Sequence, residues 1–334
     1  MLGKDSSRSR AFGRTGEPRV LVIAPCRGRD LGLRENLLSI KSQSYGNFDM
    51  VCVIDSTSDP ALAIIEGAGI RYLISNPRIG KGSGKVKAIA TAIRTFKHYD
   101  IYVIADSDIH VKSCWLGSLV SSLLDRGVGL STSFPYFVSA DKRLWSKFKS
   151  AWGLVGLGLI KSEITRFGWG GSLAFRKSLI SNKEDFSYFK DSLSDDIALT
   201  RITKRKGLGI AYNGKCSPRV YCSESFATFF EWSNRQTALS ILGNRKVFWF
   251  GVIYYTVELL FLILGVSLFF LSPLFLVLAL LYTANVYRSY RSLAEPSLSF
   301  FPILFVMPFY YLANLFIAKR MRSIEWRGRR YDLK

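Results

Sequence analysis

The sequence predicts an α/β domain with a mostly parallel sheet, followed by a C-terminal α-helical transmembrane region. Three observations carry this reading. Short β-branched runs alternate with stretches of helical period from Arg19 to about residue 110, the pattern of strands joined by crossover helices. Two of those runs end in carboxylates, at Asp55 and at Asp106 with Asp108. From Val247 to Tyr287 only Glu258 carries an ordinary charge, in a run long enough for two helices of the roughly 20 residues that a bilayer demands.

The elements follow in order. Residues 1–18 are polar, basic and rich in Ser and Gly, without the apolar core of a signal peptide, and read as a disordered arm. "RVLVIAPC" (Arg19 to Cys26) is a buried strand stopped by Pro25, and "LGLRENLLSIKSQSY" has helical spacing. "FDMVCVID" is a second strand, "PALAIIEGAG" a helix closed by glycines and "IRYLIS" a third strand. Ser83 is placed to cap the helix "GKVKAIATAIRTFKHY", and "IYVIADSD" follows as a strand. Beyond it, "LDRGVGLSTSFPYFV" reads as a strand with turns and "SAWGLVGLGLI" as a short apolar piece. "RFGWGGSLAFRK" reads as a glycine-rich turn entering a strand, and "DSLSDDIALTRITKRKG" as a capped amphipathic helix. The domain so defined covers residues 19–225. Residues 226–246, aromatic and mixed with Arg and Asn, suit a helix at the lipid surface. Membrane or re-entrant helices fill 247–318, and a basic tail 319–334.

Charge and cysteine usage narrow the chemistry. A formal net charge of +21 implies an anionic partner: nucleic acid, acidic lipid or a nucleotide-like substrate. Five cysteines without C-x-x-C spacing, beside two histidines, argue against a zinc site. Cys26 and Cys52 lie in strand-like runs and read as reduced core residues.

In a doubly covered sheet, ligands bind beyond the carboxyl ends of the strands. The Pro25-Cys26-Arg27-Gly28 loop, Asp55, Asp106 and Asp108 all fall there. Two carboxylates separated by one residue suit a hard divalent ion that takes further ligands from substrate phosphates; the plainer role is a turn using Asp for local backbone bonds. "GKGSGKVK" fails the P-loop pattern but brings Lys81, Lys85 and Lys87 to a helix start, where phosphate is attracted. Ser194-Asp195-Asp196 opens a helix, either as a simple cap or as a pair containing a general base. Glu258, inside the membrane run, is a functional candidate because charge is costly there.

These pieces, in this order, resemble the family 2 glycosyltransferases, within them the membrane-bound ceramide glucosyltransferase-like branch. The motifs are "VLVIAPCRG", "ENLLSIKSQSYGNFDMVCVIDSTSDPA", "GKGSGKVKAIATAI", "IYVIADSDIHV", "WGGSLAFRK", "SDDIALT", "WSNRQ" and "IEWRGRRY". The resemblance implies a GT-A (Rossmann-like) nucleotide-sugar-binding domain that transfers a sugar with inversion. It implies that Asp55 meets the uracil side of a UDP-sugar, with Asp59 competing for that role. Pro25, Arg27, Gly28 and Lys85 would line the nucleotide pocket. Asp106 and Asp108 would hold the diphosphate through Mn²⁺ or Mg²⁺, Asp196 would be the catalytic base and Asp195 its support. Where many relatives read Q-x-x-R-W, this chain reads Trp232-Ser233-Asn234-Arg235-Gln236. Arg235 keeps its place to face the diphosphate, whereas Trp232 and Gln236 depart from the pattern.

The expected partners are a nucleotide-sugar donor, a membrane lipid acceptor and the bilayer, with no nucleic acid. A polyprenyl-phosphate glycosyltransferase and a polysaccharide synthase are the enzyme alternatives, and a basic membrane-anchored binding protein is the non-enzyme one. The positive-inside rule puts the α/β domain and the basic tail in the cytoplasm, which requires an even number of crossings. One hairpin, about Val247 to Tyr287, then forms the span. Leu298 to Ala318, with Pro302 and Pro308 to break it, is re-entrant or interfacial.

Overall fold

The computed structural model describes residues 16–333, so most of the expected N-terminal arm lies outside them. Those residues divide into two compact units, one ending at Pro135 and resuming over Leu159–Val220, the other made of Tyr136–Gly158 and the chain from Tyr221 onward.

The first unit is the α/β body. Its first half runs β1 (Val20–Pro25), α1 (Leu33–Lys41), β2 (Phe48–Ile54), α2 (Leu62–Gly67), β3 (Arg71–Ile74), α3 (Gly84–Thr95) and β4 (Ile101–Ala105). There follow β5 (Ile109–His110), α4 (Trp115–Ser122) and β6 (Val128–Thr132). The chain then leaves through β7 (Tyr136–Ser139) and α5 (Leu144–Lys161). It returns as β8 (Ser172–Arg176), α6 (Lys183–Lys190), α7 (Asp195–Arg205), β9 (Gly209–Tyr212) and the start of β10 (Arg219–Cys222).

Seven strands form one sheet in the order β3-β2-β1-β4-β8-β6-β9. Only β8 runs against its neighbours β4 and β6. The alternation of side chains across β2 shows why helices cover both faces. Val51 and Val53 join the core under α3, α6 and α7, while Cys52 and Ile54 point to the core under α1 and α2. Cys26, Cys52 and Cys222 are free and buried, as read for the first two. Cys114, just before α4, is joined to Cys216, 102 residues on, in a disulfide that no local spacing announces. Cys114→Ser is expected to lower the unfolding free energy by about 2–5 kcal/mol. Urea unfolding with and without a reductant checks this, and equal midpoints would show that the two thiols are not joined.

The second unit is helical. After α5 it contains α8 (Phe226–Gly243), α9 (Lys246–Ser267), α10 (Leu276–Arg291) and α11 (Phe301–Arg320), then a hairpin of β11 (Ser323–Trp326) and β12 (Arg329–Asp332). The hairpin turns at Arg327 and Gly328, both with positive φ, as a two-residue turn between twisted strands requires. "SAWGLVGLGLI", read as a short piece, belongs to the 18-residue helix α5. Its glycines serve close packing: a Cβ on Gly153 would lie 2.4 Å from the Phe137 ring. Trp145 and Phe148 of α5 pack on Phe229, which explains why 136–158 clusters with α8 rather than with the sheet.

Helix α8 is fastened to α11 by polar contacts. Asn314 donates to Asn234 at 2.8 Å and accepts from Thr237 at 2.5 Å, while Ser233 and Tyr310 share a hydrogen bond at 2.6 Å. The break expected in 298–318 is absent. Pro302 sits in the first turn of α11, where no backbone donor is needed, and Pro308 is carried inside a continuous helix. Among the described residues, two helices are long and apolar enough to cross a membrane, Lys246–Ser267 and Leu298–Arg320. Helix α10, with 16 residues, is not.

Candidate active site

The first and fourth strands set the stage. β1 pairs with β2 on one side and β4 on the other, so the chain reverses direction of winding at the β1–β4 boundary, where such sheets open a crevice. Arg27 and Asp55, at the ends of β1 and β2, form an ion pair at 3.5 Å. Gly28 has φ +72° and donates to Asp59 Oδ1 at 3.0 Å. The same oxygen accepts from Ala61 N at 2.9 Å. Asp59 is thus engaged in holding the Pro25–Gly28 loop against the start of α2.

Beyond β4, Ser107 is buried and held from two sides. It donates to Asp30 at 2.6 Å, and its carbonyl accepts from Asn36 of α1 at 3.2 Å. This anchors the turn that carries Asp106 and Asp108, both half-buried. Asp30 and Asn36 were not singled out from the sequence. Neither has a local pattern that marks it.

Lys85 is the hub of the site. Its ammonium lies 2.6 Å from Asp106, 3.4 Å from Asp195 and 3.2 Å from the Gly170 carbonyl. Burial alone would lower its pKa, but Asp106 and Asp195 outweigh burial and hold it well above the usual lysine range. Asp195 is 2% exposed. Burial raises its carboxyl to about 7, opposed by Lys85 and assisted by Asp196 and Asp106. Asp196, half-buried, accepts from Ile197 N at 2.7 Å, from Gly170 N at 3.3 Å and from the Ser194 hydroxyl. Ser194 therefore serves the Asp196 carboxylate, and the cap hydrogen bond expected from its side chain is not formed.

Gly170 is the residue sequence reasoning passed over. A Cβ there would lie 2.5 Å from Asp195 Oδ2 and 3.1 Å from Lys85 Nζ, so the site closes only around a glycine. The double glycine of "WGGSLAFRK" was its signal. The glycines of "GKGSGKVK" do a different job from the expected one. A Cβ on Gly80 would lie 2.4 Å from the Lys190 carbonyl, and one on Gly82 2.5 Å from that of Ser192. They let this loop press against the segment before α7, which brings Lys85 beside Asp195. Ser83 does cap α3, accepting from Val86 N.

Trp232, Arg235 and Gln236 belong to α8 in the second unit. Trp232 packs edge-on against Trp152 and lies under the Lys149 ammonium at 4.6 Å. The Arg235 guanidinium sits 5.6 Å from the centre of the Trp326 ring and 3.7 Å from Glu231. Gln236 gives its carbonyl to Ser240.

The donor set of Asp106 and Asp108 fits a hard divalent cation: carboxylate oxygens on an anchored turn. No group of three His, Cys, Asp or Glu positioned for a metal occurs among the described residues.

A model of glycosyl transferase family 21 matches residues 4–334. The chain belongs to glycosyl transferase family 21. The resemblance to family 2 is thereby refined to a different numbered family of glycosyltransferases, and the non-enzyme alternative falls. No curated protein matches this family 21 chain in sequence. Among solved structures, it is similar to the mannosyltransferase PcManGT from Pyrobaculum calidifontis, solved with GDP-mannose and Mn²⁺. The two are 16% identical with a TM-score of 0.50, over 90% of this chain and 74% of that one. It is also similar to glucosyl-3-phosphoglycerate synthase from Mycobacterium tuberculosis, at 17% identity and a TM-score of 0.47, over 68% of this chain and 80% of that one. The fold of this glycosyltransferase is GT-A, a Rossmann-like α/β body.

Proposed function

We propose that this family 21 enzyme transfers a sugar from a nucleotide-sugar, a UDP-sugar first among them, to a hydroxyl of a membrane lipid, with inversion and with a divalent metal ion. The observation that carries the reading is the cluster that Asp106, just beyond β4, forms with Lys85 of α3 and with Asp195 and Asp196 at the start of α7. Asp196 takes the proton of the acceptor hydroxyl as its oxygen attacks the anomeric carbon from the face opposite the leaving diphosphate. The bond from that carbon to the diphosphate breaks as the new one forms. Lys85 holds Asp195 and Asp106 in register, and Asp195 supports the base through its place beside it. A Mn²⁺ or Mg²⁺ ion held by Asp106 and Asp108 would supply Lewis-acid stabilisation of the departing diphosphate. Arg27 and Asp55 face the nucleoside end of the donor.

The lipid acceptor is favoured because the same chain carries two helices of membrane-spanning length and apolarity. The cytoplasmic face is favoured because a net charge of +21 suits the anionic lipids of that leaflet. Purified protein in lipid, offered a panel of UDP-sugars and GDP-mannose, is expected to form a glycolipid from one donor, read by mass spectrometry of extracted lipid. Donor hydrolysis alone, or transfer only to soluble acceptors, would overturn the lipid assignment.

A further inference from the structure

We propose that helices α9 to α11 dip into a single leaflet of a bilayer and return to the face they entered, so that no segment crosses. This rests on the membrane reading above and goes further in naming the occupant of their apolar surface: the acyl-chain layer directly beneath one set of phospholipid head groups.

The register of α9 against α10 decides the depth. Gly265 backs onto Ala279, where a Cβ would lie 2.5 Å from its backbone nitrogen, and Asn285 donates to Glu258. Continued in the same antiparallel register, Arg288 stands level with Tyr255 and Arg291 with Val252. Arg288, Arg291 and Glu295 are all exposed. If α9 crossed from Lys246 to Ser267, its length of roughly 33 Å would fill the hydrocarbon. Arg288 would then lie about 14 Å below Lys246, near the bilayer centre. An exposed guanidinium there is costly. The head-group level therefore runs close to Tyr255 and Arg288.

Below that level the hairpin is short and uncharged. About 12 residues of each helix remain, roughly 18 Å or little more than one leaflet. Not one charged residue occurs between Glu258 and Arg288. The connection at the far end exposes Phe270 (87%), Leu271 (78%) and Leu274 (82%), a composition suited to acyl chains and unsuited to water on a second face. Above the level, exposed Trp249, Phe250 and Tyr254 supply the aromatic belt of an interface. Glu258 and Asn285 then sit just beneath the head groups, not at mid-membrane.

Helix α11 keeps to the same side. Its first residue, Phe301, stacks on Tyr290 at 4.4 Å, and near its end the Lys319 ammonium lies 5.4 Å from the Phe248 ring. Both ends thus touch residues near the charged end of the α9–α10 pair. Between them the helix dips below that level, where Tyr282 donates to the Phe305 carbonyl, before it rises past Tyr255, which stacks on Tyr311.

The test uses the full chain carrying Ser272→Cys at the tip, with the free cysteines 26, 52 and 222 replaced by Ala, spin-labelled and reconstituted in mixed phosphatidylcholine and phosphatidylglycerol vesicles. With a water-soluble nickel chelate on both sides of the bilayer, the label is expected to be relaxed by dissolved oxygen and shielded from nickel. A label at Arg291→Cys is expected to be reached by nickel. Because the Ser272 hydroxyl caps the next turn by accepting from Leu274 N, Leu274→Cys provides a second tip position. Ready relaxation of both tip labels by nickel would overturn the single-leaflet geometry while leaving membrane attachment intact. Failure of the protein to float with vesicles at all would instead overturn the membrane reading on which it rests.

Discussion

Asp196→Asn is expected to lower sugar transfer by about 10²-fold or more while donor affinity stays within a small factor. The substitution is nearly isosteric and keeps the oxygen that accepts from the Ile197 amide and the Ser194 hydroxyl. It gives up only the longer contact from Gly170 N to the other oxygen, so the start of α7 should hold its shape. What it removes is the capacity to accept a proton. Asp195 is the competing base, since burial brings it to about 7, a value suited to proton transfer. Its position argues otherwise. One oxygen faces Lys85 at 3.4 Å. The other lies buried so close behind Gly170 that a methyl group could not fit between them. An acceptor hydroxyl has easier access to half-buried Asp196. Comparing single-turnover rates and donor binding for Asp195→Asn and Asp196→Asn decides the matter. A larger rate loss in Asp195→Asn, with donor binding intact, would reverse the two roles.

The second large effect is on metal dependence. Turnover should vanish in excess EDTA and return with Mn²⁺ or Mg²⁺, and Asp108→Ala should abolish it in a folded protein. A Lewis acid at the leaving group is worth several kcal/mol, and each 1.4 kcal/mol or so is tenfold in rate, so the loss should exceed about 10³-fold. Asp108 is a cleaner probe than Asp106, whose removal also strips Lys85 of its 2.6 Å partner. Direct titration of Mn²⁺ in the presence of UDP gives the independent readout. Undiminished transfer in EDTA would sink the metal assignment.

Much of the α/β body is legible because its signals are local. A β-branched run such as Val20 to Ala24 cannot be long enough for a helix and too apolar for a loop, and the Asp residues at the strand ends follow the backbone out of the sheet. The helix α5 is less legible, because Gly153, Gly156 and Gly158 lower its propensity while tertiary packing on Phe137 and Phe229 restores it. Lys85 was legible as a cation near the site but not as the bridge between Asp106 and Asp195, since Lys85 and Asp195 lie 110 positions apart. The Cys114–Cys216 bond and the Asp30–Ser107 contact are of the same kind. The two prolines of α11 mislead for a different reason: the rule concerns the bond a proline cannot donate, and a helix packed along its length tolerates that loss once.

The interrupted course of the chain through its two units has a consequence for synthesis. β8 must enter the sheet between β4 and β6, yet residues 136–158 leave the ribosome before it does and belong to the other unit. Their aromatic side chains wait for partners far downstream: Trp152 bonds to Asn314, 162 residues away. At ~5–20 residues per second that delay is roughly 8–30 s. During it the nascent chain holds an almost complete sheet with an uncovered aromatic segment inserted in its middle. A chain stopped at residue 220 keeps every strand of the seven-stranded sheet and exposes Trp145, Phe148 and Trp152 for good, so shortening this enzyme to its α/β body without also deleting 136–158 trades the helical unit for an aggregating loop.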